Sequence, residues 1–225
     1  MHFTIKNNYM EKNIKIFIFY TDNIKILVDL LLESTLGIED AEFIPVHHNV
    51  IYNNCELGKL GGEGYLEMCL HNHLTKLEII KNNLGNNIIL IDADIVFNNK
   101  LNFVKIVNDL LIENDFLFQF DDNSIMSSSI NLGITAVKCS DNSLNFWQSH
   151  CDLISNIPKH ERNAGFPQVE LNNLIMNEYW VSKIKYKILP KTFGFDVDGS
   201  YCYHAIAVDN KLDSLQTVLN KWKNN

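Results

Sequence analysis

The sequence predicts an α/β fold: a mixed, mostly parallel central sheet flanked by helices. Two observations carry this. Short apolar blocks rich in β-branched and aromatic residues alternate with stretches whose apolar residues recur at helical spacing, the order expected of a sheet covered by its crossovers. One block, Ile88 to Ile91, runs straight into Asp92-Ala93-Asp94 between Gly85-Asn86-Asn87 and Asn98-Asn99, so it reads as a buried strand with sharp ends. With 225 residues, 46% hydrophobic and 20% charged, the chain suits one domain over 1–225.

The elements follow in order. Asn13 to Tyr20 is a first buried strand, Thr21-Asp22-Asn23 a turn and helix cap, and Asn23 to Glu33 a helix through Leu27, Val28, Leu30 and Leu31. Phe43 to Val46 is a second strand. Ligands of parallel sheets sit beyond the carboxyl ends of the strands, where Tyr20, Thr21 and Asp22 lie; a plain strand-to-helix turn is the alternative for each. Val46 to Leu60 lacks periodicity and reads as a loop, with His47-His48 expected at the surface. Lys59-Leu60-Gly61-Gly62-Glu63-Gly64 precedes a helix, a place where backbone amides meet an anion. It lacks the GK[ST] ending of a P-loop.

Tyr65 to Lys81 is a helix with a stripe of Leu66, Cys69, Leu70, Leu74, Leu77 and Ile80. His71 and His73, two apart on a helix, diverge and are structural or exposed. After the Asp-rich strand come a helix through Leu101, Val104, Val107 and Leu111, a strand at Asp115 to Phe120, a polar loop at Ser127 to Ser129, and a strand at Ile130 to Val137. Asp141 caps a helix bearing Phe146, Trp147, Cys151 and Ile154. Gln168 to Glu178 is a helix with Pro167 at its start, and Tyr179 to Leu189 is strand-like. A glycine-containing aromatic stretch, Phe193 to Tyr203, leads to His204, and Lys211 to Lys223 closes the sequence as a helix.

Function classes narrow from charge. The net charge of −8 argues against nucleic acid as partner. Arg162 is the single arginine, so phosphates must be met by a metal, lysines or backbone amides. Five scattered cysteines without CxxC spacing read as reduced thiols of a cytoplasmic protein, and no apolar run is long enough for a transmembrane segment. Two carboxylates one residue apart at the end of a buried strand are costly unless a cation receives them, and a divalent ion carrying a phosphate is the usual receiver.

The strand ending in LIDADIVF, the segment INLGITAVK…NFWQ, Gln168 to Asn173 and the late histidine together resemble the GT-A-type nucleotide-diphospho-sugar glycosyltransferases, more distantly the glycogenin-like retaining ones, over roughly Ile14 to Ile206. The resemblance implies a Rossmann-like GT-A sheet and a Mn²⁺ or Mg²⁺ ion held by Asp92 and Asp94, with His204 as third ligand or else as a satisfied strand histidine. It implies nucleotide-sugar contacts from Phe19, Tyr20, Thr21, Lys59, Gly61, Gly62, Asp92, Ala93, Asn131 and Gly133. Gln168 and Glu170 match the catalytic position near the anomeric carbon, although Pro167-Gln168-Val169-Glu170 carries no Asp before Gln168. The implied activity is transfer of a hexosyl group from a nucleotide-diphosphate sugar, a UDP-sugar, to a glycan or protein acceptor with retention. A sugar-nucleotide pyrophosphorylase needs a basic glycine-rich loop early in the chain, which Tyr20 to Asn23 does not supply. A non-catalytic nucleotide-sugar or partner-binding module is the alternative from another class.

Overall fold

The computed structural model of the chain describes residues 13–48, 63–121, 130–163, 165–206 and 208–224. Strand β1 (Ile14–Tyr20) leads through a 3-10 turn at Asp22–Ile24 into helix α1 (Lys25–Ser34), and β2 (Ala41–His47) follows. Helix α2 (Glu63–Asn82) precedes β3 (Asn87–Asp92), and a bend at Ala93-Asp94 separates β3 from the short β4 (Ile95–Phe97). Then come α3 (Phe103–Leu111), β5 (Phe116–Phe120), β6 (Ile130–Lys138), α4 (Asp141–Asn156), α5 (Phe166–Ile175), α6 (Glu178–Val181), β7 (Tyr186–Ile188), β8 (Phe193–Gly194), β9 (Cys202–His204) and α7 (Lys211–Asn224).

The large sheet has six strands in the order β2-β1-β3-β6-β5-β7, and a small sheet has the order β4-β9-β8. Strand β6 pairs antiparallel with both β3 and β5, while every other pairing of the large sheet is parallel. The carboxyl ends of β1, β2, β3 and β5 therefore meet at one edge, and β6, running the other way, brings its amino end there. Asp92 stands opposite Phe19, and Asn131 opposite Gln119.

Alternation along the strands splits the core. Ile16, Ile18, Ile89 and Ile91 pack on one face with α1, α3, α7 and the small sheet. Phe17, Phe19, Ile88 and Leu90 pack on the other with α2, α4, α5 and α6. Local chemistry sets the helix ends. Asn102 accepts from Lys105 N at 2.8 Å at the start of α3. Ser140, not Asp141, caps α4: Ser143 N donates to Ser140 Oγ at 3.3 Å and Ser140 N to Ser143 Oγ at 2.7 Å, a reciprocal box with Asp141 in the first turn.

Three further expectations are corrected. Tyr179 to Leu189 is not a continuous strand: α6 opens it, because the Asn177 side chain accepts from Tyr179 N at 3.0 Å and Trp180 turns into the core against Phe146. Only Tyr186–Ile188 pairs, with β5. In α2, Leu74 is exposed, and the buried stripe runs instead through Leu66, His73, Lys76, Leu77 and Ile80. His48 is buried and stacks on Phe19 with ring centroids 5.7 Å apart, while its neighbour His47 stays at the surface against Asp22.

Candidate metal and nucleotide-sugar site

The sheet edge gathers three ligand-bearing side chains. Asp92 ends β3, Asp94 sits in the bend after it, and His204 ends β9, with one ligand atom of each within 4.8 Å of the others. The bend is held from the small sheet, since Ala205 N donates to Asp94 O at 2.9 Å and Ile95 pairs with His204. His204 Nε2 lies 3.1 Å from Asp94 Oδ1, and Lys211 at the start of α7 donates to Asp94 Oδ2. Burial alone would push the Asp94 carboxyl up. The charge of His204, its hydrogen bond and the Lys211 ammonium overcome this and hold it well below the usual carboxylate range. Two carboxylates and an imidazole, close together and nearly enclosed, form a donor set that fits a divalent ion of the manganese or magnesium type.

Around this triad the strands supply a floor. Asn131 Oδ1 accepts from Gly133 N at 2.8 Å. A Cβ on Gly133 would stand 2.1 Å from His204 Cε1, so only glycine lets the imidazole lie there. Ala93 is buried beneath the bend. Phe19 is buried at the end of β1, Tyr20 tilts against His47 with ring centroids 5.0 Å apart, and Thr21 Oγ1 donates to Asn23 Oδ1. Gln168, in the first turn of α5, donates from Nε2 to Asp121 Oδ2 at 2.6 Å. Asp121, just past the end of β5, is thus the carboxylate that holds the Gln168 side chain. Glu170 is half-buried and makes no ion pair with another described residue. Lys59, Gly61 and Gly62, expected along the nucleotide-sugar, lie outside the described residues.

Two groups escaped the sequence. Lys76 of α2 is 1% exposed; its Nζ donates to Leu132 O at 3.3 Å and lies 5.2 Å from the centroid of the Phe19 ring. Burial pushes its ammonium down from the ordinary value, while the nearby Asp92 pulls it back up. Its signal was its place in the stripe: Cys69, His73, Lys76 and Ile80 recur at steps of four, three and four. Gln119 is fully buried in β5, and its Oε1 is 3.0 Å from His204 Nδ1. A lone amide inside DFLFQF, among three phenylalanines, is unusual for a buried strand and was the available signal. Lys211 reaches Asp94, and Lys191 lies over the Phe120 ring. Asp196 and Asp198 belong to a surface turn, where Asp198 pairs with Lys221 at 2.6 Å.

No protein-family model and no curated protein matches the chain. Solved structures do. A glycosyltransferase involved in glycosylation of the major capsid of PBCV-1 superposes with a TM-score of 0.61 at 12% identity, covering 91% of this chain and 98% of that one. The galactosyltransferase LgtC, in complex with donor and acceptor sugar analogs, gives 0.56 at 8% identity over 92% and 96%. An active-site glutamine-to-glutamate mutant of LgtC gives 0.51 at 8% identity. The apo form of the glycosyltransferase GlyE of Streptococcus pneumoniae TIGR4 gives 0.58 at 10% identity, covering 95% of this chain and 63% of that one. With its six-stranded, mostly parallel sheet and an Asp-x-Asp bend at the central strand's carboxyl end, the chain has the GT-A-type fold of glycosyltransferases.

Proposed function

We propose that the chain is a divalent-cation-dependent glycosyltransferase that moves a hexosyl group from a UDP-sugar to a glycan or protein acceptor with retention. The observation that carries this is the convergence of Asp92, Asp94 and His204 at the sheet edge. Asp92, Asp94 and His204 would hold Mn²⁺ or Mg²⁺, which, when bound, neutralises the negative charge that grows on the β-phosphate as the sugar leaves. Lys211 approaches from the α7 side and adds a second positive charge toward the same phosphate. Lys76, whose Nζ sits by Leu132 O and the Phe19 ring and feels the charge of Asp92, offers a desolvated ammonium to the donor. Phe19, Tyr20 and Thr21 would face the nucleotide from the end of β1 and Asn131 and Gly133 would line the sugar, while Lys59, Gly61 and Gly62, outside the described residues, are given the sugar diphosphate by the sequence resemblance alone.

In the transfer, the bond between the anomeric carbon and the phosphate oxygen breaks with its electron pair on the phosphate. The acceptor oxygen bonds to the same face of the sugar, and its proton passes to the phosphate oxygen. Such a step needs no separate base. Gln168, oriented by Asp121, then contacts the sugar beside the reacting carbon, and an active-site glutamine in LgtC supports that role. Glu170 is the base if the reaction inverts. The described cysteines form no disulfide, and the setting proposed for the chain is cytoplasmic. No described helix is long and apolar enough to cross a membrane.

A second reading has an observation of its own: His204 and Lys211 already meet the Asp94 charge, as in a module that binds nucleotide-sugar without turnover. Calorimetry of UDP with and without Mn²⁺, run beside UDP-sugar hydrolysis, separates them. Metal-dependent UDP binding with turnover supports the enzyme; binding without turnover of any UDP-sugar supports the module.

A further inference from the structure

Gln119 and His204 face each other between the two sheets, and everything around them restricts how they face. In the pairing of β5 with β6, Phe118 stands opposite Thr135 but Gln119 opposite Asn131, so Leu132, Gly133 and Ile134 bulge out of the ladder. The bulge brings Gly133 against the His204 ring, where a Cβ would stand 2.6 Å from Nδ1. On the other side, a Cβ on Gly194 would stand 2.0 Å from Gln119 Nε2, and Gly194 has φ +123°, which favours glycine. Two side-chain-free positions thus enclose one amide–imidazole pair. Among the described residues Gln119 Nε2 has no hydrogen-bond partner, an arrangement that costs stability. A methionine would fill the space without that cost, so the amide is there for its oxygen.

We propose that Gln119 is a positioning residue: its Oε1 accepts from Nδ1–H of His204, so that Nε2, which meets Asp94 Oδ1 at 3.1 Å, is the nitrogen that gives up its proton and ligates when a cation enters, which sets the affinity for that cation. An imidazole ligates through a nitrogen that carries no proton, and the tautomer is fixed by what the other nitrogen donates to. With the amide reversed, Nε2 of Gln119 would donate to Nδ1 and drive the proton onto the ligating nitrogen. The Gly194 and Gly133 walls give the amide room for a single side chain in the observed position.

The inference rests on the metal reading of the Asp92–Asp94–His204 site, and the test separates the two. Free Mn²⁺ is titrated by electron paramagnetic resonance into the wild type and the Gln119→Met, Gln119→Leu and Gln119→Glu variants, with thermal midpoints in parallel. The wild type binds, Gln119→Met and Gln119→Leu bind about 10–100-fold more weakly, and Gln119→Glu, which keeps an acceptor oxygen, stays within about threefold. A folded Gln119→Met variant with wild-type affinity overturns the proposal. So does a Gln119→Glu variant as weak as the leucine variant, and this comparison decides if the methionine variant does not fold. A wild type that binds no Mn²⁺ overturns the metal reading itself, and the inference with it. A packing role alone would lower all three midpoints and leave affinity per folded molecule unchanged.

Discussion

Asp94 is held at three points: an imidazole and an ammonium meet its carboxylate, and a backbone amide donates to its carbonyl. Asp94→Asn keeps the shape and removes the charge, so it should weaken Mn²⁺ binding by at least about 100-fold while the fold survives; Mn²⁺ titration beside circular dichroism checks this. Lys76 makes a different case. A buried ammonium that, among the described residues, hydrogen-bonds to a carbonyl is expensive, and an apolar residue of similar length relieves the expense. Lys76→Met should raise the thermal midpoint by about 2–4 °C, as roughly 1 kcal/mol does in a chain of this size, while lowering UDP-sugar hydrolysis at least about tenfold. A lower midpoint with unchanged activity would make Lys76 a packing residue. The Asp-x-Asp pair was legible because carboxylates at a strand end have few uses. Lys76 was not, because lysines on amphipathic helices ordinarily stay in water.

Between α2 and α4, His73 and His150 meet edge to face with ring centroids 5.1 Å apart, and both nitrogens of His150 lack a hydrogen-bond partner among the described residues. Burial, with the nearby Lys76, pushes the His150 imidazole down to about 3. Burial and the neighbouring His150 push His73 well down. Both titrate near 6.5 when unfolded, so the stability of keeping them neutral is complete above pH 6.5 and is lost as pH falls toward their folded values. At pH 5 one such imidazole removes about 2 kcal/mol, and the midpoint should drop steadily from pH 6.5 to 5. Thermal melts of a His73→Leu/His150→Leu double variant should show a flatter profile over that range. At α6, Asn177→Ala removes a cap worth about 1 kcal/mol and should lower the midpoint by about 2–4 °C. The same segment shows where pattern reading fails. Trp180 and Ile184 are four apart, a spacing shared by a strand face and a helix face, and the Asn177 cap with Trp180 packing decides for the helix.

For the whole molecule, the sheet was legible because its central strands β1, β3, β5 and β6 are nearly continuous apolar blocks buried on both faces, and their alternation with helices leaves few topologies. The site was legible only in part. Asp92 and Asp94 lie within three positions, but their partners come from β5, β6, β9 and α7, and no local spacing records that Gln119 meets His204 across 85 positions. The antiparallel course of β6 and the close approach at Gly133 set that meeting. The small sheet holds the bend and the site together, so a bound ion and nucleotide should stabilise the fold as one unit. UDP at 100 times its Kd, with Mn²⁺, should add about 2.7 kcal/mol, read as a rise in the single thermal midpoint.

The most direct test of a metal-dependent transferase centred on the Asp-x-Asp bend is a screen of nucleotide-sugars for hydrolysis with Mn²⁺, comparing wild type with Asp94→Asn. Turnover of at least one UDP-sugar by the wild type is expected, lost on chelation and lost in the variant. Turnover that persists in Asp94→Asn with the metal chelated would contradict the account.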